Sequence, residues 1–311
     1  MQRLVIHLSS LLVLLLCAAC EPIYPKGAQK ITFRADGSGS LSLKLSGQKL
    51  DPNSEKTFEE RESEGLAEAK ERQKRMTRLG FSVTTCTTTE VEGEDGQEKT
   101  MGFEASFSDA NVWLAAVKAQ AAVQQAPRAE NQVPSLAEDL LALALLGSHA
   151  ATHIDASCRG MVNLLQCEFL ETERPSVGRL MILPTLRKRM TQCRISADPL
   201  QRIATLPAAD LEKTEKELTK VRQEWLEELA WSIQVSVPGE IVATNGCAKS
   251  YDGQSVSWRI TRDEISLSAL KIILQNTKDG VWVDFKIPAG CTLAFKKPVS
   301  ESPPAEAPRK N

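Results

Sequence analysis

His149 and His153 stand four residues apart, and Asp155 and Cys158 follow them. On a helix that spacing brings two imidazoles to one face, near a carboxylate and a thiol, which are the donors zinc prefers. A zinc-dependent hydrolase built on His149, His153 and Asp155 is therefore one reading. A metalloprotease helix carries its general base between the histidines, as H-E-x-x-H, whereas the sequence here is His149-Ala150-Ala151-Thr152-His153. Without that glutamate the pair reads more simply as a surface feature at a helix end, and no metal or cofactor is expected. A serine nucleophile needs a tight G-x-S-x-G turn that holds its oxygen clear of the backbone. The nearest stretch, Gly253-Gln254-Ser255-Val256-Ser257, lacks the second glycine and reads as a turn opening a strand. No P-loop or dinucleotide fingerprint occurs, and the carboxylate runs near residues 55–75 and 210–228 read as solvated helix faces. The expectation is a protein that catalyses nothing.

Eight cysteines are present. Cys17 and Cys20 fall in the N-terminal segment, leaving Cys86, Cys158, Cys167, Cys193, Cys247 and Cys291. An even number in an oxidising compartment favours up to three disulfides, and spacing alone does not choose among the pairings. Several of the six also fit as small buried hydrophobes.

The compartment is read from the first twenty residues. Arg3, an apolar core from Leu11 to Leu16, and small residues before a cut describe an export signal over residues 1–19. Ala18-Ala19-Cys20 resembles the lipobox of bacterial lipoproteins, which implies that Cys20 is the lipid-bearing first residue of the mature chain; Cys17 replaces the usual leucine three places earlier. Ordinary secretion with cleavage after Ala19 is the alternative. The expected location is the cell envelope, with the lipid as membrane anchor.

Hydrophobic residues make up 42% of the chain and charged residues 25%, which excludes general disorder and a multi-span membrane protein. A net charge of −2 supplies no strong field toward nucleic acid or an anionic surface, so no nucleic-acid partner is expected.

These groups need a frame. Residues 20–29 read as a tether. Alternation from Ile31 to Leu45, broken by Asp36-Gly37-Ser38-Gly39, predicts a hairpin. Asp51-Pro52 and the charged run to Gly80 predict a helix over 53–79, with Phe58, Leu66, Ala69 and Met76 on its apolar face. A second hairpin spans Phe81 to Phe107 around Gly93-Glu94-Asp95-Gly96, and Ser108-Asp109 caps a helix over 110–124 carrying Val112, Trp113, Ala116 and Val117. Leu136 to Leu146 form a core helix, too short for a bilayer. Residues 126–200 read as an insertion-like helical and irregular region with strand pieces at 161–170 and 180–183. Ala209 to Leu229 is amphipathic, its stripe of Leu211, Leu218, Val221, Trp225 and Leu229 packing on the chain's own sheet or, alternatively, joining a partner helix in a structural assembly. Strands follow at 233–237, 241–243, 256–260, 265–273 and 281–287 between Gly-containing turns. The tail 298–311 reads as disordered. The domains are thus 30–125 and 201–297 around the inserted stretch, and the fold class is α+β: antiparallel hairpins with packed helices and a β-rich C-terminal part.

Trp231 to Gly246 and Asp252 to Trp258, with Pro238-Gly239, Asn245-Gly246 and Val256-x-Trp258, together with Asp36 to Gly39 and Gly80 to Val83, resemble the LppM-type domain of bacterial envelope lipoproteins. The resemblance covers about residues 30–275. It implies an α+β envelope domain that binds a lipid, another amphiphile or an envelope protein, with no catalytic residues to carry over. Members often end in a membrane helix that this chain lacks. Trp113, Trp225, Trp231, Trp258 and Trp282 then read either as the lining of a lipid or glycan cavity or, more simply, as core.

Overall fold

The structure, a computed structural model, describes residues 26–49, 57–78, 81–93, 96–115, 135–140, 143, 167–183, 185–193, 195–225, 230–245 and 250–297. The described chain is α+β, as its sequence predicts. Seven strands form one sheet: β1 (Lys26–Phe33), β2 (Gly39–Lys49), β3 (Ser82–Gly93), β4 (Gly96–Phe107), β7 (Ala230–Ser236), β9 (Ser250–Asp252) and β10 (Ser255–Thr261), in the order β3-β4-β2-β1-β7-β10-β9. A four-stranded sheet of β5 (Glu168–Glu171), β6 (Val177–Leu183), β11 (Val281–Lys286) and β8 (Ile241–Thr244) runs in the order β5-β6-β11-β8. Neighbours are antiparallel except β1 and β7, which run parallel in the middle of the large sheet, Lys26 opposite Ala230 and Thr32 opposite Ser236.

The first hairpin turns where Asp36 accepts hydrogen bonds from the Ser38 amide and hydroxyl at 2.9 and 2.7 Å. Gly39 is required there, because a Cβ would lie 2.2 Å from both the Phe107 ring and the Thr32 carbonyl oxygen. Odd positions of β1 and β2 turn inward, so Ile31, Phe33, Leu41, Leu43 and Leu45 are buried. The opposite face of the sheet carries Lys30, Lys44, Glu104 and many hydroxyls. β1 begins at Lys26 and buries Gln29 to 3% exposure, so residues 26–29 belong to the sheet and the tether is shorter than its composition suggests.

α1 (Phe58–Arg78) opens on a capping box: the Thr57 hydroxyl accepts from the Glu60 amide, and the Glu60 carboxylate from the Thr57 amide. It packs along β3, tied there by Arg61 and Glu90 at 3.1 Å. Ala69 is buried but Leu66 is 57% exposed, so the expected apolar face is narrower than four residues. The same correction holds at 110–115, a helical segment in which Ala110 and Trp113 are buried while Val112 is 64% exposed. Ser135 and Glu138 form a second capping box, and Leu136, Leu140 and Leu143 enter the core.

Residues 168–183, read from the sequence as part of an inserted stretch, supply half of the four-stranded sheet. Phe169 of β5 meets Phe33 of the large sheet edge-on at 5.1 Å and Phe285 and Phe295 at 6.3 and 5.7 Å, so one core serves both sheets. α2 (Leu186–Cys193), α3 (Pro199–Thr205), α4 (Ala208–Trp225) and α5 (Leu267–Asn276) follow. α5 is a correction, since alternation at 265–273 suggested a strand. Ser266 caps it by accepting from the Ala269 amide, Glu215 of α4 accepts from the Leu267 amide, and Leu270 and Leu274 are buried four apart. Beyond β11 the chain straps the two sheets together: Asn111 donates to the Thr292 carbonyl and accepts from the Ala294 amide, and the Lys296 backbone pairs with Phe169 and Glu171.

Candidate functional site

Cys20, His149, His153, Asp155 and the tail 298–311 lie outside the described residues, as do the side chains of Cys158, Cys193 and Cys247. Among the described residues no three His, Cys, Asp or Glu side chains lie together as metal ligands would. Cys86, Cys167 and Cys291 carry no disulfide, and the other three cysteines of the expected bridges, up to three in number, lie outside the described side chains. Cys167 is instead a buried thiol whose pKa is pushed up to about 12 by desolvation, too high to form a nucleophilic thiolate at neutral pH. Ser255 shares a hydrogen bond of 2.9 Å with Ser236 across the β10–β7 pair, a ladder contact with no general base in it.

The geometry worth attention is the inner face of the large sheet near the start of β1. Strand register lays its residues in rows. One row runs Ala105, Leu41, Ile31, Val235, Val256, every member 1–3% exposed. The next row toward Lys26 runs Cys86, Phe103, Leu43, Gln29, Ile233, Trp258. Here Phe103, Leu43 and Gln29 are covered while Ile233 and Trp258 are only half-buried, so the cover thins on the β7–β10 side. In this row sit two buried polar atoms without partners, the Gln29 Oε1 acceptor and the Trp258 Nε1 donor. They flank Ile233, each two strands from the other, which puts their Cα atoms roughly 10 Å apart. An unmet hydrogen bond in the interior costs about 1–3 kcal/mol, so two on one row need an explanation. Trp113 Nε1 is also buried without a partner, but that side chain is core: it is 1% exposed and stacks on Phe107 at 4.8 Å.

The other sheet carries an aromatic group on its outer side. Arg179 donates two hydrogen bonds, 2.6 and 3.0 Å, to the buried Asp284 carboxylate and lays its guanidinium 3.8 Å over the Trp282 ring. Both of the arginine's faces of interaction are thereby occupied, and the group serves as a fastener between β6 and β11. The amphipathic α4 buries Leu218 completely and rests Leu211 on the chain's own core. A shallow, open depression on α4 is lined by Glu212, Glu215, Lys216, Thr219, Lys220 and Gln223. There Lys216 holds the Glu212 carboxyl below its ordinary pKa through a hydrogen bond and its charge.

Gln29 is the residue that sequence reasoning misses. Its signal is present, since Gly27 and Gln29 continue the odd-numbered alternation of β1, but a glutamine on a core position reads as the edge of a tether.

No family model and no curated protein matches this chain. Among solved structures, it aligns with the NMR structure of the folded domain of Mycobacterium tuberculosis LppM over 86% of this chain and 91% of that one, at 9% identity and a TM-score of 0.29. A score that low carries no argument about fold or function.

Proposed function

We propose that this is an exported, lipid-anchored cell-envelope protein whose two-sheet domain binds a lipid or another amphiphile and performs no catalysis. The observation that carries the reading is the position of the thinly covered apolar row. β1 starts at Lys26, six residues beyond Cys20, and at most about 3.6 Å per residue keeps that end of the sheet within roughly 22 Å of an anchored cysteine. The half-buried Ile233 and Trp258 lie three residues along their strands from Ala230 and Thr261, the positions level with Lys26. Thinly covered apolar residues at the anchored end of the sheet would lie near the surface from which an amphiphile is drawn, and an indole ring suits such a boundary because one end is apolar and the other a donor.

Anchoring is tested by fractionating cells that express the full chain and the Cys20→Ser variant, with metabolic labelling by an alkyne fatty acid. The reading expects the parent chain in membranes and labelled, and the variant released and unlabelled. Labelled Cys20→Ser, or an unlabelled parent released like the variant, would overturn the anchor.

A further inference from the structure

We infer that the thinly covered row beside Gln29 selects an amphiphile with an uncharged head that both donates and accepts a hydrogen bond, a hydroxyl or an amide, over one with a phosphate head. The inference rests on the amphiphile-binding reading and adds the chemistry of the head. Gln29 is 3% exposed and its Oε1 has no partner, so the covered end of the row asks for a donor. Trp258 Nε1, buried within a half-exposed side chain, asks for an acceptor. One hydroxyl meets either demand, and a head that carries both a donor and an acceptor offers a partner to each. A phosphate diester offers oxygens alone. It would satisfy Trp258, but it would set lone pairs against the Gln29 oxygen and bring a charge onto a face where the described residues around Gln29 include no cation. The described residues of that face around Gln29 are Ile31, Leu43, Val235 and Val256, whereas Lys30 and Arg259 stand at alternate positions on the far side of the sheet. Ile233, lying between the two atoms, provides the apolar floor for the first carbons of the chain.

The test uses the chain from residue 20 onward with Cys20→Ser, incubated with a monoacylglycerol or with an alkyl methyl phosphate of the same chain length, a diester with no hydroxyl, and read by native mass spectrometry. The monoacylglycerol is expected as a one-to-one complex held at least tenfold more tightly than the phosphate-headed lipid. Gln29→Leu, which removes the unpaired oxygen while keeping the volume apolar, should weaken the monoacylglycerol complex about tenfold with no loss in melting temperature. Trp258→Phe keeps the ring and drops the donor, and it carries the test should Gln29→Leu fail to fold. Equal binding of the two lipids, or unchanged binding in both variants, overturns this inference and leaves the amphiphile reading standing. Retention of neither lipid overturns both.

Discussion

Replacing Phe169 by alanine should loosen both sheets together. The ring is 2% exposed and touches Phe33 of the large sheet, Phe285 of the small one and Phe295 of the closing strap, at 5.1, 6.3 and 5.7 Å between centroids. Removing a buried phenylalanine costs about 3–5 kcal/mol through lost burial and the cavity left behind. The three ring contacts, at roughly 0.5–1.5 kcal/mol each beyond area burial, place this site toward the upper end of that span. A domain's whole stability is about 5–15 kcal/mol, so the variant should lose a large part of it. Urea unfolding followed by far-ultraviolet circular dichroism gives the loss as a lowered midpoint at constant slope. Hydrogen exchange read by mass spectrometry then asks where protection is lost, and peptides covering 39–49 and 177–183 should lose it in parallel. A cost below about 1 kcal/mol, or protection lost in 177–183 alone, would refute the single core that joins the sheets.

Other sites give equally direct outcomes. Gly239→Ala should destabilise by about 1–3 kcal/mol in urea unfolding, because a Cβ would fall 1.8 Å from the Lys286 carbonyl oxygen and backbone must move; a neutral result would contradict the packing of β11 on that turn. Arg179→Ala strands the Asp284 carboxylate, whose side chain is 7% exposed, and should cost about 1–3 kcal/mol in the same assay; the exposed side of the arginine holds the cost below that of a fully buried pair, and no change would dismiss the fastener. Asp36 is held below its ordinary pKa of 3.8, first by the Ser38 hydroxyl and then by its amide. A depressed carboxylate stabilises above its unfolded pKa and stops doing so as pH falls through the folded one. The stability advantage of the parent over Asp36→Ala should therefore hold at pH 6 and shrink below about pH 4; an advantage that grows on acidification would reverse the assignment. The Cys167 thiol, buried and with its pKa near 12, should resist iodoacetamide at pH 8 until the protein unfolds, and labelling of the native chain on the timescale of an exposed cysteine would contradict its burial.

The two hairpins were legible because period-two alternation met turn residues that only one backbone shape accepts, as at Asp36 to Gly39. Helix starts were legible wherever the cap was local. Thr57 with Glu60 marks the true start of α1 better than Asp51-Pro52, and both residues are in plain view. α5 was misread because Ile265, Leu267, Ala269 and Lys271 alternate while Leu267, Leu270 and Leu274 also fit a helix, and the choice is settled partly by Glu215, fifty-two residues earlier in the chain. The parallel pairing of β1 with β7 joins segments some two hundred residues apart, and nothing local encodes it. The candidate site depends on that same pairing. Gln29, Ile233 and Trp258 become neighbours only once β7 is inserted beside β1, so their conjunction could not be read from any one stretch.

The measurement that bears most directly on the account is a native mass spectrum of the Cys20→Ser chain from residue 20, purified from an exporting host with no lipid added. The account predicts one bound amphiphile per chain, at lower occupancy in Gln29→Leu. A bare chain in both, with the protein folded by circular dichroism, would contradict it.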